Sequence, residues 1–298
     1  MNTDEMTAKI AGGQGFIAAL DQSGGSTPKA LLGYGVGEDA WSSEAEMYAL
    51  IHDMRSRIIT APSFTGDKVI GAILFERTMD GQVAGKTAPQ ALIDRGVVPF
   101  IKIDKGLEAE ADGVQLMKPI DGLDALLDRA KELGVFGTKE RSVINLANKD
   151  GIARIVSQQF VIADQVIAAG LVPILEPEIN IKSPERGAAD LILRDELLAQ
   201  LDDDADGPLV MLKLSIPEVP NSFDVLVDHP RVLRVVALSG GYARPEACAE
   251  LAKNRGMIAS FSRALLEDLR HGMSDEEFDR ALGAAIDEIY AASVNKAA

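Results

Sequence analysis

The sequence predicts a closed (β/α)8 barrel. Short apolar runs recur along the chain, and they end in polar or charged residues. Segments with helical spacing of their apolar residues lie between the runs. Alternation of this kind calls for parallel strands joined by helical crossovers. Eight such units in about 250 residues favour a closed barrel over an open sheet.

The runs follow in order. The first is "GFIAALD", ending at Asp21, then "VIGAILFE" to Glu76 and "VVPFIKID" to Asp104. "KERSVINL" begins at Lys139, and "LVPILEPE" ends at Glu178. "LVMLKLS" ends at Ser215, "RVLRVVALSGG" at Gly241 and "GMIASFSR" at Arg263. Most are rich in Val and Ile, the residues that suit a buried strand. Among the helical segments, "DGLDALLDRAKELG" places Leu123, Leu126, Leu127, Ala130 and Leu133 on one face. "IARIVSQQFVIADQVIAAG" and "AADLILRDELLAQL" read alike. Pro245 in "RPEACAELAKN" suits a first helical turn. "SDEE", Ser274 to Glu277, is a capping box for a last helix that should contain Tyr290. No Pro/Gly/Ser-rich linker divides residues 1–298, so a single domain is expected.

Composition narrows the function. The chain has 298 residues, 47% of them hydrophobic, enough for a large core. A net charge of −16 argues against nucleic acid and anionic membranes as partners. No apolar run reaches the roughly 18 residues of a membrane span. The N-terminal "MNTDEMTAKIAGG" lacks the pattern of a secretory signal. The one cysteine, Cys248, cannot form an internal disulfide, which fits a reducing, cytoplasmic setting.

In a barrel of this type the chemistry sits at the C-terminal ends of the strands. Six of the eight runs deliver acids, lysines, serines or an arginine there. Glu176 and Glu178 stand two residues apart, so both carboxylates should face the same side. Two buried acids need a compensating charge or a shared proton. Lys213, Lys102 and Lys139 can supply it, since each lies in or beside an apolar run. Arg141 stands two residues beyond Lys139. Singly, each could be a snorkelling or ion-paired side chain. Together they suggest a mixed lysine–carboxylate cluster at one barrel mouth. A desolvated lysine beside another cation becomes a nucleophilic amine able to form an iminium with a carbonyl. A neighbouring glutamate can then move the protons. "LSGG" and "SFSR", after the seventh and eighth runs, stand where barrels of this type bind phosphate. "DQSGGS", with Ser23 and Ser26, could hold a second anion. Of the three histidines, His52 lies in a helical stretch, His229 precedes Pro230 and His271 lies in a turn. No His/Asp cluster offers zinc spacing, so a metal-dependent route is disfavoured.

At this point the sequence resembles the class I, Schiff-base fructose-bisphosphate aldolases, and in particular their shorter bacterial members. The resemblance runs from "AALDQSGGS" to "SFSRAL" through "ILF", "IKIDKG", "VPILEPEI", "MLK" and "ALSGG", in order and at matching spacing. It implies cleavage of fructose 1,6-bisphosphate to dihydroxyacetone phosphate and glyceraldehyde 3-phosphate, with no metal and no cofactor. Lys213 would be the Schiff-base lysine and Glu176 the acid/base of the imine steps. Glu178 would help set the charge balance. Lys139 would lie between them and lower the pKa of the amine. Asp21 would assist cleavage of the C3–C4 bond. Ser239, Gly240 and Arg263 would hold the phosphate on the dihydroxyacetone side; Ser23, Ser26, Lys102 and Arg141 would hold the other. The partners would be small sugar phosphates. A homo-oligomer is compatible with the sequence, which does not give the oligomeric state.

The chain departs from the family's pattern at several positions. Animal members read Asp-Glu-Ser-Thr-Gly-Ser where this chain has Asp21-Gln22-Ser23-Gly24-Gly25-Ser26. Their Schiff-base lysine precedes Pro, and here Leu214 follows. They carry Trp where Glu140 stands. Their tail ends in a tyrosine active in proton exchange, whereas this chain ends "YAASVNKAA". The resemblance therefore leaves the handler of the C3 proton unassigned. The same chemistry on sedoheptulose 1,7- or tagatose 1,6-bisphosphate is an alternative, and a non-catalytic metabolite-binding barrel is another.

Overall fold

A computed structural model describes residues 1–297. Eight parallel strands form a nearly closed barrel: β1 Phe16–Leu20, β2 Val69–Leu74, β3 Val98–Lys102, β4 Gly137–Ile144, β5 Val172–Ile179, β6 Val210–Ser215, β7 Val232–Leu238 and β8 Ile258–Ala259. Each pairs in parallel with the next. A two-residue strand, Val114–Gln115, adds antiparallel to β4, and a small hairpin joins Gln82–Val83 to Lys86–Thr87. The helical segments read from the sequence appear as Leu123–Glu132, Lys149–Ala168, Arg186–Asp202, Arg244–Ala252 and Asp275–Val294. Ser274 and Glu277 form the capping box, and Pro245 lies in the first turn of its helix.

Strand alternation sorts the core into two shells. Phe16, Ala18 and Leu20 of β1 face the helices, whereas Ile17 and Ala19 face the barrel interior. The interior shell continues through Ile73, Val98, Phe100, Ile174, Met211, Val236 and Ile258. Met6 and Ile10, from an N-terminal helix Thr3–Gly12, join the same cluster. Arg234 of β7 holds that helix by donating to the carbonyls of Ile10 and Gly13, both at 2.9 Å. The helix thus closes the N-terminal end of the barrel. No helix of the described residues is long and apolar enough to cross a membrane.

Two expectations change. The second run ends as a strand at Leu74, and Glu76 begins a short helix. There it pairs with Lys105 at 2.7 Å and Arg129 at 2.6 Å. The eighth run forms a ladder over two residues only.

Candidate active site

The interior positions continue, two residues at a time, into charge. Ala19 leads to Asp21, Phe100 to Lys102, Gly137 to Lys139 and Arg141, Ile174 to Glu176 and Glu178, and Met211 to Lys213. Period two therefore carries these polar side chains to the C-terminal mouth. They line a cleft of about 890 Å³ together with Ser23, Ser26, Ser239, Gly240 and Arg263. Every candidate site residue named from the sequence faces this one space.

At its floor Glu176 lies between two lysines. Its Oε1 is 3.0 Å from Lys213 Nζ, and its Oε2 contacts Lys139 Nζ. Lys139 also donates to Asp21 Oδ2 at 3.2 Å and stands 3.9 Å from Asp104 Oδ2. Lys139, Glu176 and Lys213 are almost fully buried. Burial alone would push the Lys139 ammonium down, but the charges of Glu176, Asp21 and Asp104 outweigh it. The result is a lysine held well above its ordinary value, a fixed cation. For Asp21, burial would raise the carboxyl; Lys139, Lys213 and Lys102 reverse this and hold it well below the usual carboxylate range.

The other cations divide into two kinds. Lys102 donates to Asp104 Oδ1 at 2.6 Å and to the Asp104 carbonyl at 2.7 Å, and burial pushes its amine down. Arg141 pairs with Glu178 Oε2 at 2.5 Å, so Glu178 faces Arg141 rather than the central lysines. Both cations are thus already compensated by acids. Arg263 is exposed at the cleft rim, with its guanidinium near Gly241. The Ser26 hydroxyl donates back to the Ser23 carbonyl at 2.8 Å, so the loop is closed on itself. At Gly240, φ is +62°, and an added Cβ would fall 2.6 Å from Ile181, so the turn after β7 requires glycine.

Sequence reasoning passed over several residues of this cleft. Asp104, Gln22, Lys29, Tyr34, Ser262 and Arg270 also line it. Asp104 was legible, since it alternates with Lys102. Two further placements matter. Glu140 points away from the cleft side chains and is fully buried; burial and the Asp104 charge push its carboxyl far up. Tyr290 lies within the last helix with Lys68 near its ring. Lys68 precedes β2, which puts Tyr290 at the opposite end of the barrel from the cleft.

A model of the family described as fructose-bisphosphate aldolase class-I matches residues 4–188. Among solved structures, a fructose-bisphosphate aldolase from Plasmodium falciparum superposes with a TM-score of 0.83 at 20% identity, covering 99% of this chain and 96% of its own. A protein from Corynebacterium glutamicum gives 0.59 at 16% identity, covering 97% of this chain and 92% of its own. These likenesses establish the barrel fold, and the family match extends over more than half of the sequence. The chain belongs to the class-I fructose-bisphosphate aldolases, a family of carbon–carbon lyases.

Proposed function

We propose that the protein cleaves fructose 1,6-bisphosphate reversibly to dihydroxyacetone phosphate and glyceraldehyde 3-phosphate through a Schiff base on Lys213, a step of glycolysis in a cytoplasmic setting. The observation that carries this reading is the Glu176 carboxylate between the Lys213 and Lys139 ammonium groups. Glu176 is placed to take a proton from Lys213, freeing the amine to attack the C2 carbonyl. The same carboxyl then protonates the leaving carbinolamine oxygen, and water departs as the iminium forms. Asp21, held ionised, accepts the C4 hydroxyl proton as the C3–C4 bond opens and its electrons pass to the iminium nitrogen. The aldehyde product leaves, and the enamine takes a proton at C3. Tyr290 is too remote for that proton, which therefore comes from the cleft. Hydrolysis of the new iminium releases the ketone. Lys139 remains charged throughout, beside both Asp21 and Glu176.

Borohydride reduction in the presence of dihydroxyacetone phosphate tests the assignment. The expected result is a stable mass added to the Lys213 peptide. Lys213→Met should lose the adduct and lower kcat by several orders of magnitude. An adduct on another lysine, or none, overturns the reading. Parallel cleavage assays with sedoheptulose 1,7- and tagatose 1,6-bisphosphate fix the preferred ketose.

A further inference from the structure

The barrel is least continuous where its last strand meets its first. β8 pairs with β7 at Ile258 and Ala259 only. Across the seam, the Ala19 N–H donates to the Phe261 carbonyl at 3.1 Å. Just above that contact, on the cleft side, the Gln22 side chain spans the gap. Its Nε2 donates to the Ala19 carbonyl at 3.2 Å and to the Ser262 hydroxyl at 2.6 Å. Behind Gln22 lies Arg55, from the helix Glu44–Thr60, with no solvent exposure. Its guanidinium donates to the Gln22 carbonyl, to Gln22 Oε1 at 3.2 Å and to the Thr78 hydroxyl at 2.7 Å.

All three acceptors of Arg55 are neutral. Burial pushes the guanidinium down to about 10, which still leaves it charged at neutral pH. The charge of Asp21 acts on it without contact, and a buried cation with no carboxylate in hydrogen-bond contact is a poor way to stabilise a fold, since an apolar side chain avoids its desolvation. What Arg55 does accomplish is geometric. It fixes both the main chain and the side chain of Gln22, and Gln22 fixes Ser262.

The two sets of candidate anion-binding groups flank this seam. Ser23 and Ser26 follow Gln22 on one side, and Arg263 follows Ser262 on the other. The geometry points to Arg55 and Gln22 as positioning residues that fix the Ser23–Ser26 loop against Ser262–Arg263 and so set the spacing between the two anionic groups of an accepted substrate. This inference rests on the ketose bisphosphate reading given above. A substrate with an anion at each end senses the brace. A substrate with one anion engages one side only and does not.

Gln22→Met keeps the side chain's size and removes both its donors and the Oε1 acceptor of Arg55. It should raise KM for fructose 1,6-bisphosphate about tenfold, the scale of one or two neutral hydrogen bonds. KM for fructose 1-phosphate should change less than about twofold, because one anion needs no spacing. Discrimination between fructose 1,6- and sedoheptulose 1,7-bisphosphate should weaken in parallel. Ser262→Ala, which cuts the other end, should reproduce the pattern, and the double variant should be no worse than Gln22→Met alone. It also serves if Gln22→Met folds poorly, and Arg55→Lys should fall between wild type and Gln22→Met. A merely structural role predicts equal losses of kcat on both substrates with KM unchanged, and that result overturns the brace. Variants indistinguishable from an active wild type do the same. Wild type that neither cleaves these ketoses nor traps dihydroxyacetone phosphate overturns the substrate reading itself, and the brace with it.

Discussion

Replacing Lys139 with Met keeps the length of the side chain and removes the charge on which three acids converge. Asp21 lies 3.2 Å from that ammonium, Asp104 lies 3.9 Å away, and Glu176 is in contact. None of the four side chains is more than 10% exposed. At an effective dielectric of about 20, a pair about 4 Å apart gains roughly 4 kcal/mol. Desolvation of the ammonium offsets several kcal/mol of the total, and stranding a buried charge typically costs about 3–5 kcal/mol. The expected loss of stability at neutral pH is therefore about 3–5 kcal/mol.

The pH dependence gives a sharper test than the loss itself. The folded pKa of Lys139 is raised, so its contribution is complete below the unfolded value of about 10.4 and fades only as pH rises through the folded value. The folded pKa of Asp21 is depressed, so its contribution is complete above about 3.9 and is lost as pH falls through the folded value. Between about pH 5 and 8 both are in force, and neither adds a slope in the wild type. In Lys139→Met the buried Asp21 carboxyl loses its nearest cation and binds a proton on folding, whereas Glu176 keeps Lys213 and Asp104 keeps Lys102. The native state then holds more protons than the unfolded chain, and stability falls with rising pH by about 1.4 kcal/mol per unit for each proton. Urea denaturation followed by circular dichroism at several pH values measures the difference. The deficit against wild type should grow from about pH 5 to about pH 8. A deficit below about 1 kcal/mol, or one flat in pH, refutes the charge arrangement described for this cluster.

Arg263→Ala should lower kcat/KM roughly ten- to a hundredfold, the equivalent of about 1.5–3 kcal/mol for a charge-assisted contact. The loss should be greater on fructose 1-phosphate than on fructose 6-phosphate; equal losses would remove Arg263 from the dihydroxyacetone-side phosphate. Asp190 is buried with its carboxyl pushed up to about 6, against hydrogen bonding from the Glu218 N–H and the charge of Arg186. An acid raised in this way destabilises the fold once pH exceeds both its folded and unfolded values. Asp190→Asn should therefore gain about 1–3 kcal/mol at pH 8 and nothing near pH 4, as read from urea midpoints. A gain that persists in acid would show that packing, not ionisation, is responsible.

The charged side chains of the cleft were readable because a charge inside an apolar run has few explanations. Lys213 stands between Leu212 and Leu214, and Lys102 follows Ile101. Strand period then assigns them to one face. The same rule gave Glu176 and Glu178 a common side, though it could not show that they take different partners. Register across strands is a tertiary matter, and no single run reports it. The short ladder of β8 was hidden for the same reason. Arg55 was harder still. In "IHDMRSRIIT" two arginines stand two apart, and a helix turns them to different environments. Arg57 reaches Asp275 at the surface, whereas Arg55 shares a stripe with Ile51 and Ile58. That stripe was its only signal. Glu140, next to Lys139 in the strand, falls on the opposite face by the same period and is fully buried.

The helix seated in the lower end of the barrel has a kinetic consequence. Beneath the amine of Lys213 lie Phe100, Ile174 and Met211, and beneath these the side chains of Met6 and Ile10. Bulk water has no path to the amine from that side. Everything that reaches or leaves the lysine must share one doorway, so traffic there is sequential. Under the Schiff-base reading proposed above, a ketose phosphate that fills the doorway would shield its own imine from hydrolysis until the first fragment has gone. Turnover on such a plan becomes a matter of order: the aldehyde clears the entrance, water follows it in, and only then is the covalent half set free.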